Sequence, residues 1–136
     1  MNVRIYDDKV EFFTEYNRLK PIIDKSVKWS DQPENNLVMD LLQRNLILVS
    51  IDNAFALIEI TTDERNRYCH YRLCGGEKGA MDSIIKSMET VEEYAKTKEC
   101  THMSLIGRKG WKRYLSHYGF LVIPYDEKRF EYQKVL

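Results

Sequence analysis

Two glycine-bearing stretches hold the residue types best suited to chemistry in this chain. The first, Gly75-Gly76-Glu77-Lys78-Gly79-Ala80, stands between a strand-like run and a long helical pattern. Glycines there let backbone amides turn toward a ligand, and the partial positive charge of a helix N-terminus adds to them. An anion such as a phosphate is what Gly75, Gly76, Gly79 and Ala80 would hold. A plain strand-to-helix loop needing positive φ would use the same residues, and no Lys-Ser or Lys-Thr pair completes a P-loop. The second stretch is Gly107-Arg108-Lys109-Gly110-Trp111-Lys112-Arg113, with basic side chains and no acid from Arg108 to Arg113. Cations at the start of a helix oppose its dipole, at about 0.3–1 kcal/mol each at low salt. An anion or an acidic partner at Arg108, Lys109, Lys112 and Arg113 would reverse that penalty; solvated surface charge is the alternative.

Metal and nucleophile chemistry find less support. Cys69, His70 and Cys74 lie close in sequence, with Cys100 and His102 further on. Neighbours on a strand point to opposite faces, so Cys69 and His70 do not converge, and Cys74 has the opposite parity to Cys69. A closed zinc site wants four convergent ligands at tighter spacing. No Gly-x-Ser-x-Gly elbow is present, and no cysteine sits where a helix N-terminus would clearly activate it. The odd cysteine count, with no paired spacing, points to free thiols in a reducing compartment.

The elements that position these residues follow from hydrophobic periodicity. Val3 to Tyr6 reads as a short strand. Asp8 and Glu11 fit a capping box ahead of Phe12, Tyr16, Leu19 and Ile23, one face of a helix. Pro21 falls inside that pattern, which predicts an end or a bend near Lys20 and a short turn after it. Asp31 and Glu34 repeat the capping spacing with Pro33 in the first turn, and Leu37, Val38, Leu41 and Leu42 give a second helix that stops near Asn45. Residues 46–51 and 54–60 are apolar runs separated by Asp52-Asn53, a β-hairpin. Arg67 to Cys74 is a third strand, stopped by Gly75-Gly76. Met81, Ile84, Ile85, Met88, Val91 and Ala95 mark one face of a long helix. Thr101 to Ile106 is a strand and Arg108 to Tyr118 a helix, with a closing strand pair at Phe120 to Ile123 and Arg129 to Val135. The order β-α-α-β-β-β-α-β-α-β-β predicts a single α/β (α+β) domain, residues 1–136, around one mixed sheet.

Composition bounds the function classes. Hydrophobic residues make 43% and charged ones 31%, which excludes a disordered tail. No apolar run approaches the ~18 residues of a membrane span, so membrane insertion is not expected. The first residues lack an apolar signal core, which reads as the start of an unexported protein. Bases and acids balance at 21 each, so nucleic acid is disfavoured as the main partner. The charge is nevertheless partitioned: Asp31 to Glu64 holds seven acids against the single base Arg44. That layout would position an anionic ligand or a partner, or simply make two solvated faces of opposite sign.

The run Ile106 to Phe120, with its Gly107-Arg108-x-Gly110-Trp111 segment and its Leu115-x-x-Tyr118-Gly119-Phe120 ending, follows a strand and a helix carrying Glu92-Glu93-Tyr94-Ala95. This stretch resembles the second half of the Gcn5-related N-acetyltransferase (GNAT) fold. More narrowly it resembles the small GNAT-like proteins encoded by tailed phages. The strong part of the match covers about residues 67–136. The resemblance implies a central mixed sheet splayed between the strands at 67–74 and 101–106, flanked by helices. In active members acetyl-coenzyme A lies in that opening, its pyrophosphate on an Arg/Gln-x-x-Gly-x-Gly/Ala loop. Here that loop departs: from Arg72 the register puts Glu77 in the last place, and from Gly76 it puts Gly79 in place but Met81 last. The family's Asn-x-x-Ala-x-x-Leu-Tyr-x-x-x-Gly-Phe pattern, aligned on Gly119-Phe120, falls on Arg108, Trp111, Tyr114 and Leu115, so Leu115 replaces the general-acid tyrosine.

Two readings follow from the resemblance. In the first the chain is a phage-encoded, non-catalytic structural or interaction protein with degenerate acetyl-CoA motifs and no cofactor. It would work in the bacterial host cytoplasm during infection or be incorporated in the virion. Its partners are other virion or host proteins, met through Arg108, Lys109, Lys112 and Arg113 and through the acidic stretch, with self-association also compatible. In the second it is an active N-acetyltransferase that uses acetyl-CoA through a relaxed loop at Gly75, Gly76, Gly79 and Ala80, with Glu59 or His70 as candidate base.

Overall fold

The computed structural model describes residues 2–7, 11–27 and 37–136. The described strands form one seven-stranded sheet in the order β1-β2-β3-β4-β5-β7-β6. The short edge strand β1 (Arg4–Tyr6) pairs antiparallel with β2 (Ile47–Ile51). β2 turns through Asp52-Asn53 into β3 (Ala54–Thr62), which pairs with β4 (Arg67–Gly76). The one parallel contact is β4 with β5 (His102–Arg108). A parallel neighbour needs a crossover, and the helix α3 (Met81–Thr97) supplies it. β5 then pairs with β7 (Arg129–Val135), and β7 with the outer strand β6 (Leu121–Pro124). The mixed sheet and its element order are those the periodicity predicts.

Alternating residues send the hydrophobic strands into two cores. Val49, Ile51, Ala56, Ile58, Cys69 and Met103 face α3, where Ile84, Met88, Val91 and Ala95 cover them. Leu46, Leu48, Phe55 and Leu57 face the other way, under α1 (Phe13–Ser26) and α2 (Leu37–Leu42). Strand β4 breaks the alternation once. Ile58 pairs with Tyr71 but Leu57 pairs with Leu73, so Arg72 is an extra residue, a β-bulge. Because side-chain direction has a period of two, that insertion flips everything after it. Cys69 and Tyr71 pack toward α3, whereas Leu73 packs under α1 and Cys74 returns to the α3 side.

Three elements differ from the sequence expectation. α1 runs unbroken through Pro21 instead of ending near Lys20. A proline in a helix interior costs about 3 kcal/mol. Leu19 and Ile23, one on either side, are both fully buried against the sheet, and burying each contributes about 1.5–3 kcal/mol. The same helix begins at Phe13 with no side-chain cap; Asp8, Asp31, Pro33 and Glu34 lie outside the described residues. β4 continues through Gly75 and Gly76, which pair with Phe55 and Ala54. The expected helix over 108–118 is a 3₁₀ turn at Lys109–Trp111, one α-turn α4 (Lys112–Leu115) and a second 3₁₀ turn at Ser116–Tyr118, ended by Gly119 at φ 93°.

Gly76 shows why β4 carries glycine at its end. A Cβ there would lie 2.6 Å from Ala80 Cβ, 2.9 Å from Ala54 Cβ and 3.0 Å from the Asn53 carbonyl oxygen. None of those atoms can swing aside. Gly76→Ala should therefore lower the unfolding free energy in urea by about 1–3 kcal/mol. Gly110→Ala, where a Cβ meets nothing within 4 Å, should leave stability unchanged or raise it by up to about 1 kcal/mol. Equal effects at the two positions would contradict this packing.

Candidate functional site

The parallel pair β4–β5 is short. Tyr68 to Tyr71 pair with His102 to Leu105, and there the ladder ends. Beyond it β4 stays with β3 as far as Gly76↔Ala54, and β5 stays with β7 as far as Arg108↔Arg129. Two strands held by their outer neighbours must diverge, and the gap begins at the bulged Arg72. A cavity of about 230 Å³ occupies it, with Arg72 and Cys74 on one side, Ile106 and Arg108 on the other, and Trp111 across. The end of β5 is fixed: the Tyr132 hydroxyl donates to the Arg108 carbonyl at 2.7 Å. The Trp111 ring lies on Gly107, where a Cβ would come within 2.7 Å of it. The partly buried Trp111 ring packs against the α3-side core.

A groove of about 480 Å³ joins this cavity through Gly75, Gly76, Arg108 and Trp111. It gathers most of the residues singled out from the sequence. Gly75, Gly76, Gly79, Ala80, Arg108 and Arg113 all line it, while Lys109 and Lys112 stand outside the lining, over the Phe130 ring at 5.1 and 5.9 Å. The loop is pinned at its root, the Glu77 amide donating to the Asn53 carbonyl at 2.9 Å and the Ala80 amide to the Glu77 carbonyl at 3.0 Å. Gly79 takes φ 84°, a left-handed turn that a side chain resists, with open space where its Cβ would be. α3 then starts at Met81 behind Ala80 with no side-chain cap. The positive end of this 17-residue helix thus borders the groove, which Ala80, Met81 and Ile84 line, with no side-chain cap on its first turn. Gly75 and Gly76 serve differently from what their position in the loop implied. They are strand residues that line both the cavity and the groove, and their smallness also admits neighbours: a Gly75 Cβ would meet the Ser26 side chain and a Gly76 Cβ would meet Ala80.

On the α1 face a polar row crosses the sheet. Glu59, His70 and Ser104 are register partners on β3, β4 and β5. The Ser104 hydroxyl and His70 Nδ1 are 2.8 Å apart, and Ser104 is buried. Arg72 Nη1 sits 3.8 Å from Glu59 Oε2. Both sequence candidates for a base therefore stand side by side. Ser104 was not foreseen, nor was Arg72 as a member of this row. A lone serine in Met103-Ser104-Leu105 at the parity of His70 is the available signal for the first, whereas the bulge that aims Arg72 left none.

The tyrosines divide by environment. Leu115, in the family's tyrosine position, is wholly buried. Tyr114 lines the groove, and Arg113 Nη2 donates to its hydroxyl at 3.2 Å. Burial, with smaller contributions from Glu92 and Glu89, raises the Tyr118 phenol above its usual range. The Tyr71 hydroxyl is buried with no hydrogen-bond partner among the described residues, and Tyr71 lines the gap. Burial is also the main cause that lifts the Tyr71 phenol well above 10.

No cluster of three or more histidine, cysteine or acidic residues suited to a metal exists among the described residues. The three cysteines are free thiols. No helix among the described residues is long and apolar enough to cross a membrane.

Solved structures share this architecture from end to end. An N-acetyltransferase from Staphylococcus aureus Mu50 superposes with a TM-score of 0.72 at 14% identity, over 99% of this chain and 98% of that one. A chain of the NatC complex bound to Gag peptide and CoA gives 0.70 at 13% identity, over 100% and 99%. A GNAT family acetyltransferase from Elizabethkingia anophelis with acetyl-CoA bound gives 0.61 at 14%, over 99% of each chain. The fold is the GNAT fold, a single α/β domain with a splayed mixed sheet. No family model matches the sequence, and no curated protein matches it.

Two thiols of β4, Cys69 in the paired ladder and Cys74 on the lining of the gap, supply a test of desolvation there. Desolvation pushes both Cys69 and Cys74 from 9 up to about 12, in Cys74 despite the nearby Arg108. Between those two values the unfolded chain releases protons that the folded chain keeps, so folding stability falls as pH rises through the window and is unaffected by these groups below it. The urea midpoint should drop between about pH 8 and about pH 10.5. A Cys69→Ala, Cys74→Ala double variant should show a shallower drop, the remainder coming from Cys100 and from Tyr16, Tyr71, Tyr118 and Tyr132, which desolvation also raises. Identical slopes would contradict the desolvation of these thiols.

Proposed function

We propose that this chain is an acyl-coenzyme A-dependent N-acyltransferase of the acetyltransferase type. The observation that carries the reading is the divergence of β4 and β5 after Tyr71↔Leu105, whose cavity shares Gly75, Gly76, Arg108 and Trp111 with the α3 loop groove. The residues present suit coenzyme A. The uncapped first turn of α3 and the left-handed Gly79 present backbone donors, and Lys78, Arg108 and Arg113 place three cations on the same groove against the single acid Glu77. The buried Tyr71 hydroxyl, unpartnered on the lining of the gap, offers a donor to an acceptor atom within it.

Bound coenzyme A supplies an acyl carbon activated as a thioester. The chain's own part is to hold an amine beside that gap, take its proton and keep water out. We assign the proton acceptor's role to His70, on the α1 face outside the cavity lining: its Nδ1 is 2.8 Å from the Ser104 hydroxyl, and Glu59 is its register partner. Tyr114, on the groove, takes the place that Leu115 leaves as a source of a proton for the departing group.

A second reading keeps the fold without the chemistry, as an interaction protein of a phage particle. Leu115 favours it, being an inert, wholly buried side chain where a proton donor is expected.

Release of free thiol from acetyl-coenzyme A, followed in the presence of an amine panel, separates the two. The wild-type chain should turn over at least one amine. His70→Ala should reduce kcat by about 10²–10⁴-fold with little change in coenzyme affinity. Coenzyme binding with no thiol release for any amine would favour the second reading.

A further inference from the structure

The cavity in the splay is lined from both faces of the sheet, and its charge is of one sign. On the α1 side Lys25, in the last turn of α1, and Arg72, at the bulge, contribute to the lining; Arg108 contributes at the end of β5. None of the described residues that line it carries a carboxylate. Glu59, 3.8 Å from the Arg72 guanidinium, stands outside the lining. Arg72 is largely withdrawn from water, its side chain 11% exposed, so its field is screened less than that of a surface cation. Lys25 is exposed and lies at the rim.

This field discriminates among amines. A simple protonated amine meets like charge on approach. An amine carrying a carboxylate is drawn in by that group, and the cations around it then lower the proton affinity of its nitrogen, which favours the neutral nucleophile. Arg108 is shared with the coenzyme groove, but Lys25 and Arg72 belong to the opposite side, next to the Glu59–His70–Ser104 row. At about 230 Å³ the cavity is smaller than a drug-sized pocket. Resting on the acyltransferase reading, we infer that the acceptor is a small amino acid whose carboxylate is held by Lys25 and Arg72.

The test needs neither coenzyme nor turnover. Backbone amide resonances are followed while N-acetylglycine, N-acetyl-L-glutamate and, as the uncharged control, N-acetylglycinamide are titrated into the protein. The carboxylates should give saturable shifts at Ser26, Leu73 and Gly107, with at least about 10-fold tighter binding than the amide. Lys25→Glu, at an exposed position where the folded state is verified in the same sample, should erase that preference. Equal binding of the amide, no shift at these residues with any probe, or a preference that survives Lys25→Glu would each overturn the inference. Carboxylate binding in a protein that ignores acetyl-coenzyme A would instead sink the acyltransferase reading and leave the anion site standing.

Discussion

One inserted residue in β4 governs this molecule. Without the bulge at Arg72, Leu73 would share the face of Cys69 and Tyr71 and would meet α3; with it, Leu73 lies under α1 beside Phe55 and Leu57. A bulge also bends its strand and increases the local twist. The bend falls where the β4–β5 ladder stops, so β4 follows β3 away while β5 follows β7. The open slot therefore needs no separate device. It results from a parallel pair whose members each make longer antiparallel ladders with their outer neighbours.

The packing around the slot follows from that divergence. The splayed end of β4 runs beneath the last turn of α1 and beside the start of α3, and it is so close to both that Gly75 and Gly76 admit no Cβ. On the opposite bank Gly107 plays the same role for the Trp111 ring, and Tyr132 clamps the Arg108 carbonyl. The cations on this rim lie over aromatic rings, Arg108 over Trp111 at 5.5 Å and Arg113 over Tyr114 at 5.0 Å.

Much of the fold was legible because its signals are local. The Asp52-Asn53 hairpin, the apolar face from Met81 to Ala95 and the Gly119 stop each depend on residues adjacent in sequence. Pro21 was misleading for the opposite reason: Leu19 and Ile23 hold the helix through contacts with a distant sheet. The sequence comparison placed weight on Glu77 and Leu115, letters that depart from a pattern. The three-dimensional arrangement places weight on backbone, since the loop root, the Gly79 turn and the uncapped start of α3 are made of amides that no letter encodes. Ser104, and the place of Arg72 beside Glu59, were not legible because a parallel register and a bulge bring them to the site. Both are long-range facts.

The account stands on the slot being a coenzyme site. Isothermal titration of coenzyme A into the folded protein, beside an Arg113→Glu variant, tests that directly. Binding in the ~1 µM to 1 mM range, weakened in the variant, is the predicted result. Absence of heat at high protein concentration, with the fold verified in the same sample, would contradict it and leave the splayed sheet as scaffold alone.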